Sequence, residues 1–84
     1  MRHEYITKGV CAKKIVFDLD GNVVRNVSFF GGCNGNLQAV SRLTDGMTVE
    51  EIEAKCKGIC CGSRQTSCAD QLAKGVREAL NGSI

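Results

Sequence analysis

The segment KKIVFDLDGNVVRNVSFF, Lys13–Phe30, carries the clearest pattern of regular structure in the chain. In its first half, Ile15, Phe17 and Leu19 recur at every second position, which is the period of a strand with one buried face. Asp20-Gly21-Asn22 is a tight-turn sequence, and the β-prone run Val23–Phe30 follows it. The segment therefore predicts an antiparallel β-hairpin.

The chain around the hairpin predicts one further short strand and a first helix. Residues 4–8 have β character and predict an edge strand. After the hairpin, the glycine-rich run Gly31–Asn36 leads into a helix with Asn34 as its N-cap. The residues expected on the buried side of this helix are Leu37, Val40 and Leu43.

Capping motifs mark two more helices. Thr48-Val49-Glu50-Glu51 is a capping box that begins a short helix ending near Lys57. Ser67 and Asp70 form a similar S-x-x-D motif at the start of a last helix, which runs to about Leu80 with apolar residues at i, i+3 and i+4 spacing. The expected fold class is α+β: an N-terminal antiparallel hairpin or three-stranded sheet, followed by three helices packed on one face. Residues 1–84 are expected to form one domain.

The composition excludes several classes of protein. The 84 residues are 43% hydrophobic with a net charge of +2, which is typical of a globular chain. Charges of both signs are mixed and no basic stripe is interleaved with aromatic residues, so we expect no nucleic-acid partner. No apolar segment approaches transmembrane length, and the segment after Met1 lacks the apolar core of a signal peptide. We therefore expect a cytoplasmic protein that does not enter a membrane.

Six cysteines are the strongest chemical signal in the composition. In a reducing compartment, clustered cysteines bind metal or take part in redox chemistry more often than they form structural disulfides. Cys68 falls in the first turn of the last helix, where free N–H groups and the helix dipole favour a thiolate. Cys11 precedes a strand, and Cys33 lies at the entry of the first helix. The adjacent Cys60 and Cys61 lie in the loop before the last helix.

This distribution suits a tetrahedral thiolate site for zinc. Adjacent cysteines seldom both bind one tetrahedral metal, and Gly62 gives Cys61 the freer backbone, so we prefer Cys61 to Cys60. The candidate ligands are Cys11, Cys33, Cys61 and Cys68. The alternative is that several cysteines are small buried apolar residues, which is the preferred interpretation for Cys56.

The run Thr66–Ala73, TSCADQLA, resembles the signature of the TSCPD domain, with Ala69 at the position of the family's proline. Gly9–Cys11, Gly31–Asn36 and Gly58–Gly62 resemble the other motifs of the small stand-alone four-cysteine TSCPD proteins, so the resemblance covers nearly the whole chain. It implies that the four candidate ligands are the family's four cysteines, and that Cys56 and Cys60 are additional.

Related domains lie at the C-terminal end of adenosylcobalamin-dependent ribonucleotide reductases. The resemblance therefore implies a module that is accessory to ribonucleoside-diphosphate reduction and deoxyribonucleotide supply. Its expected partners are a ribonucleotide reductase or another protein, or a nucleotide. A chain of 84 residues is too short for the barrel and radical site of a reductase, so we expect no catalysis by this chain alone.

A second, looser similarity is to the iron–sulfur scaffold family. That family has a Gly-Cys pair at a helix entry, then a G-x-T-x-E-E helix start, then a cysteine that begins the last helix. The same order is found here in Gly32-Cys33, Gly46–Glu51 and Cys68. It implies a similar architecture and makes an iron–sulfur cluster the alternative to zinc. Adjacent Cys60 and Cys61 also suit a thiol redox or persulfide carrier. The glycine-rich loop and the family association leave a nucleotide-binding or regulatory module as a further alternative.

Overall fold

A three-stranded antiparallel sheet forms the N-terminal half of the fold, in the order β1-β2-β3. The strands are β1 (Arg2–Ile6), β2 (Lys14–Asp20) and β3 (Val23–Phe30). The computed structural model describes residues 2–10, 12–32, 34–60, 65–82 and 84. The hairpin is confirmed, with Gly21 at a φ of +62° in its turn. The first strand is also confirmed, but it covers Arg2–Ile6 instead of residues 4–8, because its pairing with β2 extends to Asp18 at one end and stops at Lys14 at the other.

Three helices follow the sheet, which confirms the predicted α+β class. They are α1 (Asn34–Thr44), α2 (Val49–Cys56) and α3 (Cys68–Leu80). The capping box of α2 is complete, since Thr48 Oγ1 accepts from the N–H of Glu51 at 3.1 Å and Glu51 Oε1 accepts from the N–H of Thr48 at 3.0 Å. No helix in the described part of the chain has both the length and the apolarity needed to span a bilayer.

The core lies between the sheet and α3, with α2 packed against α3. Its fully buried side chains include Ile15, Phe17, Ile52, Leu72 and Val76. Gly75 brings β1 close to α3, because a Cβ atom at this position would lie 2.8 Å from Cγ of Tyr5. The absence of a side chain at Gly75 therefore sets the distance between the edge strand and the helix.

Helix α1 packs along β3 and corrects one prediction. Leu37 is buried and Val40 packs against the core, as expected. Leu43 is 71% exposed, however, and Thr44 is buried in its place. Thr44 can occupy this position because its hydroxyl donates to the carbonyl of Val40 at 2.7 Å.

The direction of each element brings three connections to one end of the molecule, which we call the loop end. Residues 7–13 join β1 to β2, residues 31–33 join β3 to α1, and residues 57–67 join α2 to α3. Five of the six cysteines belong by sequence to these connections or to the first residue of α3, and the sixth, Cys56, ends α2. The loop end is therefore the region in which a sulfur site has to be sought.

Candidate metal centre

Cys68 is the predicted ligand that falls within the described residues. It is the first residue of α3, its side chain is half-buried, and its thiol forms no disulfide. Ser67, the N-cap before it, accepts from the N–H of Asp70 at 3.1 Å, which confirms the predicted helix start. Cys11, Cys33 and Cys61 lie outside the described residues.

The connection that carries Cys11 is held against the start of α3. The N–H of Lys8 donates to Oε1 of Gln71 at 3.1 Å. Gly9, at a φ of +71°, lies so near Thr66 that a Cβ on it would come within 3.6 Å of the Thr66 methyl group. On the other side of Cys11, Ala12 is buried and its carbonyl accepts from the hydroxyl of Thr7 at 2.5 Å.

The connection that carries Cys61 is held at the same turn of α3. The N–H of Gly58 donates to Oδ1 of Asp70 at 2.6 Å. The hydroxyl of Thr66, at the other end of this connection, donates to Oδ2 of Asp70. Both ends of the connection are therefore bonded to one carboxylate, two residues after Cys68.

The end of β3, which precedes Cys33, is bonded to the connection that carries Cys11. The N–H of Lys13 donates to the carbonyl of Phe30 at 2.7 Å. Gly31 and Gly32 then turn the chain towards α1, each at a φ of +86°, a backbone conformation that favours glycine. The described residues next to all three undescribed ligands thus belong to one end of the fold.

A comparison with protein families gives a match over nearly the full length of the chain. The family model described as the TSCPD domain matches residues 1–80. The chain belongs to the TSCPD domain family. A search of curated proteins found no match, and neither did a search of solved structures. Within this TSCPD protein, the signature run Thr66–Ala73 contains Asp70 and Gln71, to which the connections that carry Cys61 and Cys11 are bonded.

Asp70 is the one charged residue in the signature run Thr66–Ala73, and it is buried, with 1% of its surface exposed. In addition to Gly58 and Thr66, it contacts Lys74, whose Nζ lies 3.1 Å from Oδ2. Burial alone would raise the pKa of this carboxyl, but the hydrogen bonds from Gly58, Thr66 and Lys74 together lower it below its ordinary value. Asp70 is therefore an ionised carboxylate with donors on both oxygens.

The sequence prediction assigned Asp70 to a capping box, and this was wrong for its side chain. Ser67 does accept from the N–H of Asp70, but the carboxylate bonds to Gly58, Thr66 and Lys74 instead of reaching back to the cap. Gln71 was also missed, although it is only 4% exposed. One signal was available, because Asp70 precedes Ala73 by three residues and so lies on the apolar stripe of the helix.

The two additional cysteines that can be described differ from each other. Cys56 is half-buried and packs against the core, as expected for a core thiol, and burial raises its pKa although Lys55 acts in the opposite direction. Cys60 is exposed, and its Sγ lies 3.6 Å from the carbonyl of Gly58. His3 is not at the loop end, since its ring stacks on Phe17 at 5.7 Å and its Nδ1 lies 3.1 Å from the carbonyl of Ile84.

The described ranges, which omit three of the four predicted ligands, contain no group of three or more histidine, cysteine, aspartate or glutamate residues placed to hold a metal. Both oxygens of Asp70 accept from protein donors. The assignment of Cys11, Cys33, Cys61 and Cys68 as metal ligands stays a prediction.

Proposed function

We propose that this TSCPD protein binds one zinc ion through Cys11, Cys33, Cys61 and Cys68 and that it acts in the cytoplasm as a non-catalytic module. The observation that carries the proposal is the bonding of the described residues around Cys11 and Cys61 to the first turn of α3, where Cys68 lies. Four thiolates from separate elements are a common donor set for structural zinc.

The size of the chain gives zinc a physical role. A domain of 84 residues buries only about 60–65% of the surface that its unfolded chain exposes. At the loop end, hydrogen bonds join two of the connections to α3. A metal that joins these connections adds its binding free energy to the free energy of folding. The expected effect of zinc is therefore a more stable loop end, with no chemical step on a substrate.

Membership of the TSCPD family supports a wider role in ribonucleoside-diphosphate reduction. We infer that the module acts there as an accessory to a ribonucleotide reductase, since 84 residues are too few for the barrel and radical site of a reductase. Direct binding between the zinc-loaded protein and a purified reductase, measured by calorimetry, tests this role. A reductase whose binding and turnover do not change on addition of the module counts against it.

Elemental analysis tests the metal site. Protein purified without added metal is expected to contain one zinc per chain, and Cys→Ser substitution at any of the four ligands is expected to remove most of it. Cys56→Ser is the matched control and is expected to keep its zinc, because Cys56 packs against the core. Absence of zinc from the wild-type protein, or equal loss in the control, contradicts the proposal.

A thiol redox or persulfide carrier is the alternative that the exposed Cys60 favours. In that case several thiols should react quickly with a mild alkylating reagent in the native state. Under the zinc proposal, Cys60 alone is expected to react quickly, while the four ligands are protected until a chelator is added. Iron and acid-labile sulfide in the same preparation would indicate a cluster in place of zinc.

A groove of about 520 Å³ between β3 and α1 favours nucleotide binding as a further candidate function. Gly31 and Gly32 line one part of it, and Ser41 and Arg42 supply polar groups. Backbone N–H groups and an arginine are suitable partners for phosphate. Titration with nucleoside di- and triphosphates should then shift the NMR signals of Gly31, Gly32 and Arg42, and unchanged signals would remove this candidate.

A further inference from the structure

We propose that Asp70 and Gln71 are positioning residues for the zinc site. They hold the connections that carry Cys11 and Cys61 against the first turn of α3 before a metal binds. This inference rests on the proposed zinc site and assigns a role to two side chains that are not ligands. The carrying observation is a partly buried set of hydrogen bonds among Thr66, Asp70 and Gln71, which we call the α3-start network.

Asp70 contributes the attachment of the connection between α2 and α3. Its Oδ1 accepts from the N–H of Gly58, and its Oδ2 accepts from the hydroxyl of Thr66 and contacts Nζ of Lys74. A buried carboxylate is stable only when donors of this kind replace the lost water. The position of Gly58, which precedes Cys61 by three residues, is therefore fixed relative to Cys68.

Gln71 contributes the attachment of the connection between β1 and β2. Its Oε1 accepts from the N–H of Lys8, three residues before Cys11, and its Nε2 donates to Oγ1 of Thr66 at 3.0 Å. Thr66 thus accepts from Gln71 and donates to Asp70, so one continuous network reaches both connections. Two members of the network are buried, since Asp70 and Gln71 are 1% and 4% exposed, and Thr66 is half-buried.

The physical consequence is preorganisation of the ligands. When the ligands of a metal belong to separate connections that are not ordered beforehand, metal binding is weaker because ordering the connections costs conformational entropy. Hydrogen bonds that order the backbone beforehand remove part of that cost. Loss of a contact made directly to a ligand typically weakens metal binding about 10–100-fold, and for bonds three residues away from Cys11 and Cys61 we expect the lower end of that range. The network should therefore change zinc affinity without contributing a ligand atom.

The experiment compares the zinc affinity of the full-length protein and its variants by competition with a chromophoric chelator. Asp70→Asn keeps the shape of the side chain but replaces one acceptor oxygen with a donor, so it cannot serve all three partners. Gln71→Ala removes only the bonds to Lys8 and Thr66. Glu53→Gln is the matched control, because it also removes a carboxylate bonded to α3, but at Arg77, farther from the loop end.

Asp70→Asn and Gln71→Ala are each expected to bind zinc about 10-fold more weakly or worse, with Glu53→Gln within about twofold of the wild type. Their cobalt complexes should keep the thiolate charge-transfer bands but change the visible d–d bands, a change that lower stability alone would not cause. If Asp70→Asn does not fold, Gln71→Ala decides the question. Folded variants with wild-type zinc affinity and cobalt spectra would overturn the positioning role alone, whereas a wild-type protein without zinc would overturn the site itself.

Discussion

Substitution of glycine by alanine is expected to have opposite effects on stability in α3 and in α1, because Gly75 of α3 lies against Tyr5. Gly75→Ala places a Cβ 2.8 Å from Cγ and 3.0 Å from Cβ of Tyr5, both far inside an ordinary van der Waals contact. These Tyr5 atoms lie next to the β1 backbone and cannot swing aside, so the strand itself has to move. Gly35→Ala, in α1, meets no described atom within 4 Å.

The magnitudes follow from two opposing contributions. Alanine in place of glycine stabilises a helix by about 0.8–1.0 kcal/mol, and less near its end. Overpacking costs about 1–3 kcal/mol, and only Gly75→Ala incurs it. We therefore expect Gly75→Ala to destabilise the protein by about 1 kcal/mol and Gly35→Ala to stabilise it by about 0.5 kcal/mol.

Thermal melts of the two variants and the wild type, at equal zinc content, measure this difference. For a domain of this size, 1 kcal/mol corresponds to about 4–8 °C in Tm. Gly75→Ala should melt below the wild type and Gly35→Ala above it. If Gly75→Ala melts at or above Gly35→Ala, the close approach of β1 and α3 is refuted.

Three further predictions concern the helix caps, pH and metal. Thr48→Ala should lower the free energy of unfolding in urea by about 1 kcal/mol because it removes the N-cap of α2, whereas Thr48→Ser should keep most of it. The hydrogen bond from Arg77 lowers the pKa of Glu53 below its ordinary value of 4.5. The ionised Glu53 therefore stabilises the folded protein above pH 4.5, and this stabilisation is lost as the pH falls through the folded-state pKa. Glu53→Gln should therefore be less stable than the wild type at pH 7, and the gap should close in acid; a gap that stays constant down to pH 3 would contradict this. A zinc chelator should lower the Tm by roughly 10 °C or more, since loss of a ligand held at 100 times its Kd costs about 2.7 kcal/mol, and an unchanged melt would count against the zinc site.

Much of the fold was predictable because its signals are local. The turn at Gly21, the capping box at Thr48 and the N-cap at Ser67 depend on residues within a few positions of each other, and the structure confirms all three. The burial of Thr44 instead of Leu43 could not be predicted from local signals, because the packing of α1 on β3 decides which of these two neighbours is buried.

The environment of Asp70 and Gln71 depends on partners that no local pattern identifies. Asp70 bonds to Gly58, 12 residues away, and Gln71 bonds to Lys8, 63 residues away. A polar residue near the start of a helix is normally interpreted as a cap or as surface, and only the tertiary structure shows these side chains buried. For the same reason, the sequence allows a prediction of which cysteines bind the metal, but not of which hydrogen bonds hold their connections against α3.

Zinc K-edge X-ray absorption on the purified wild-type protein tests the central claim most directly, because it reports the atoms bound to the metal. A first shell of four sulfurs at about 2.3 Å is expected, and it should be lost in Cys68→Ser but kept in Cys56→Ser. A shell with nitrogen or oxygen ligands in the wild-type protein, or with fewer than four sulfurs, would contradict the proposed site.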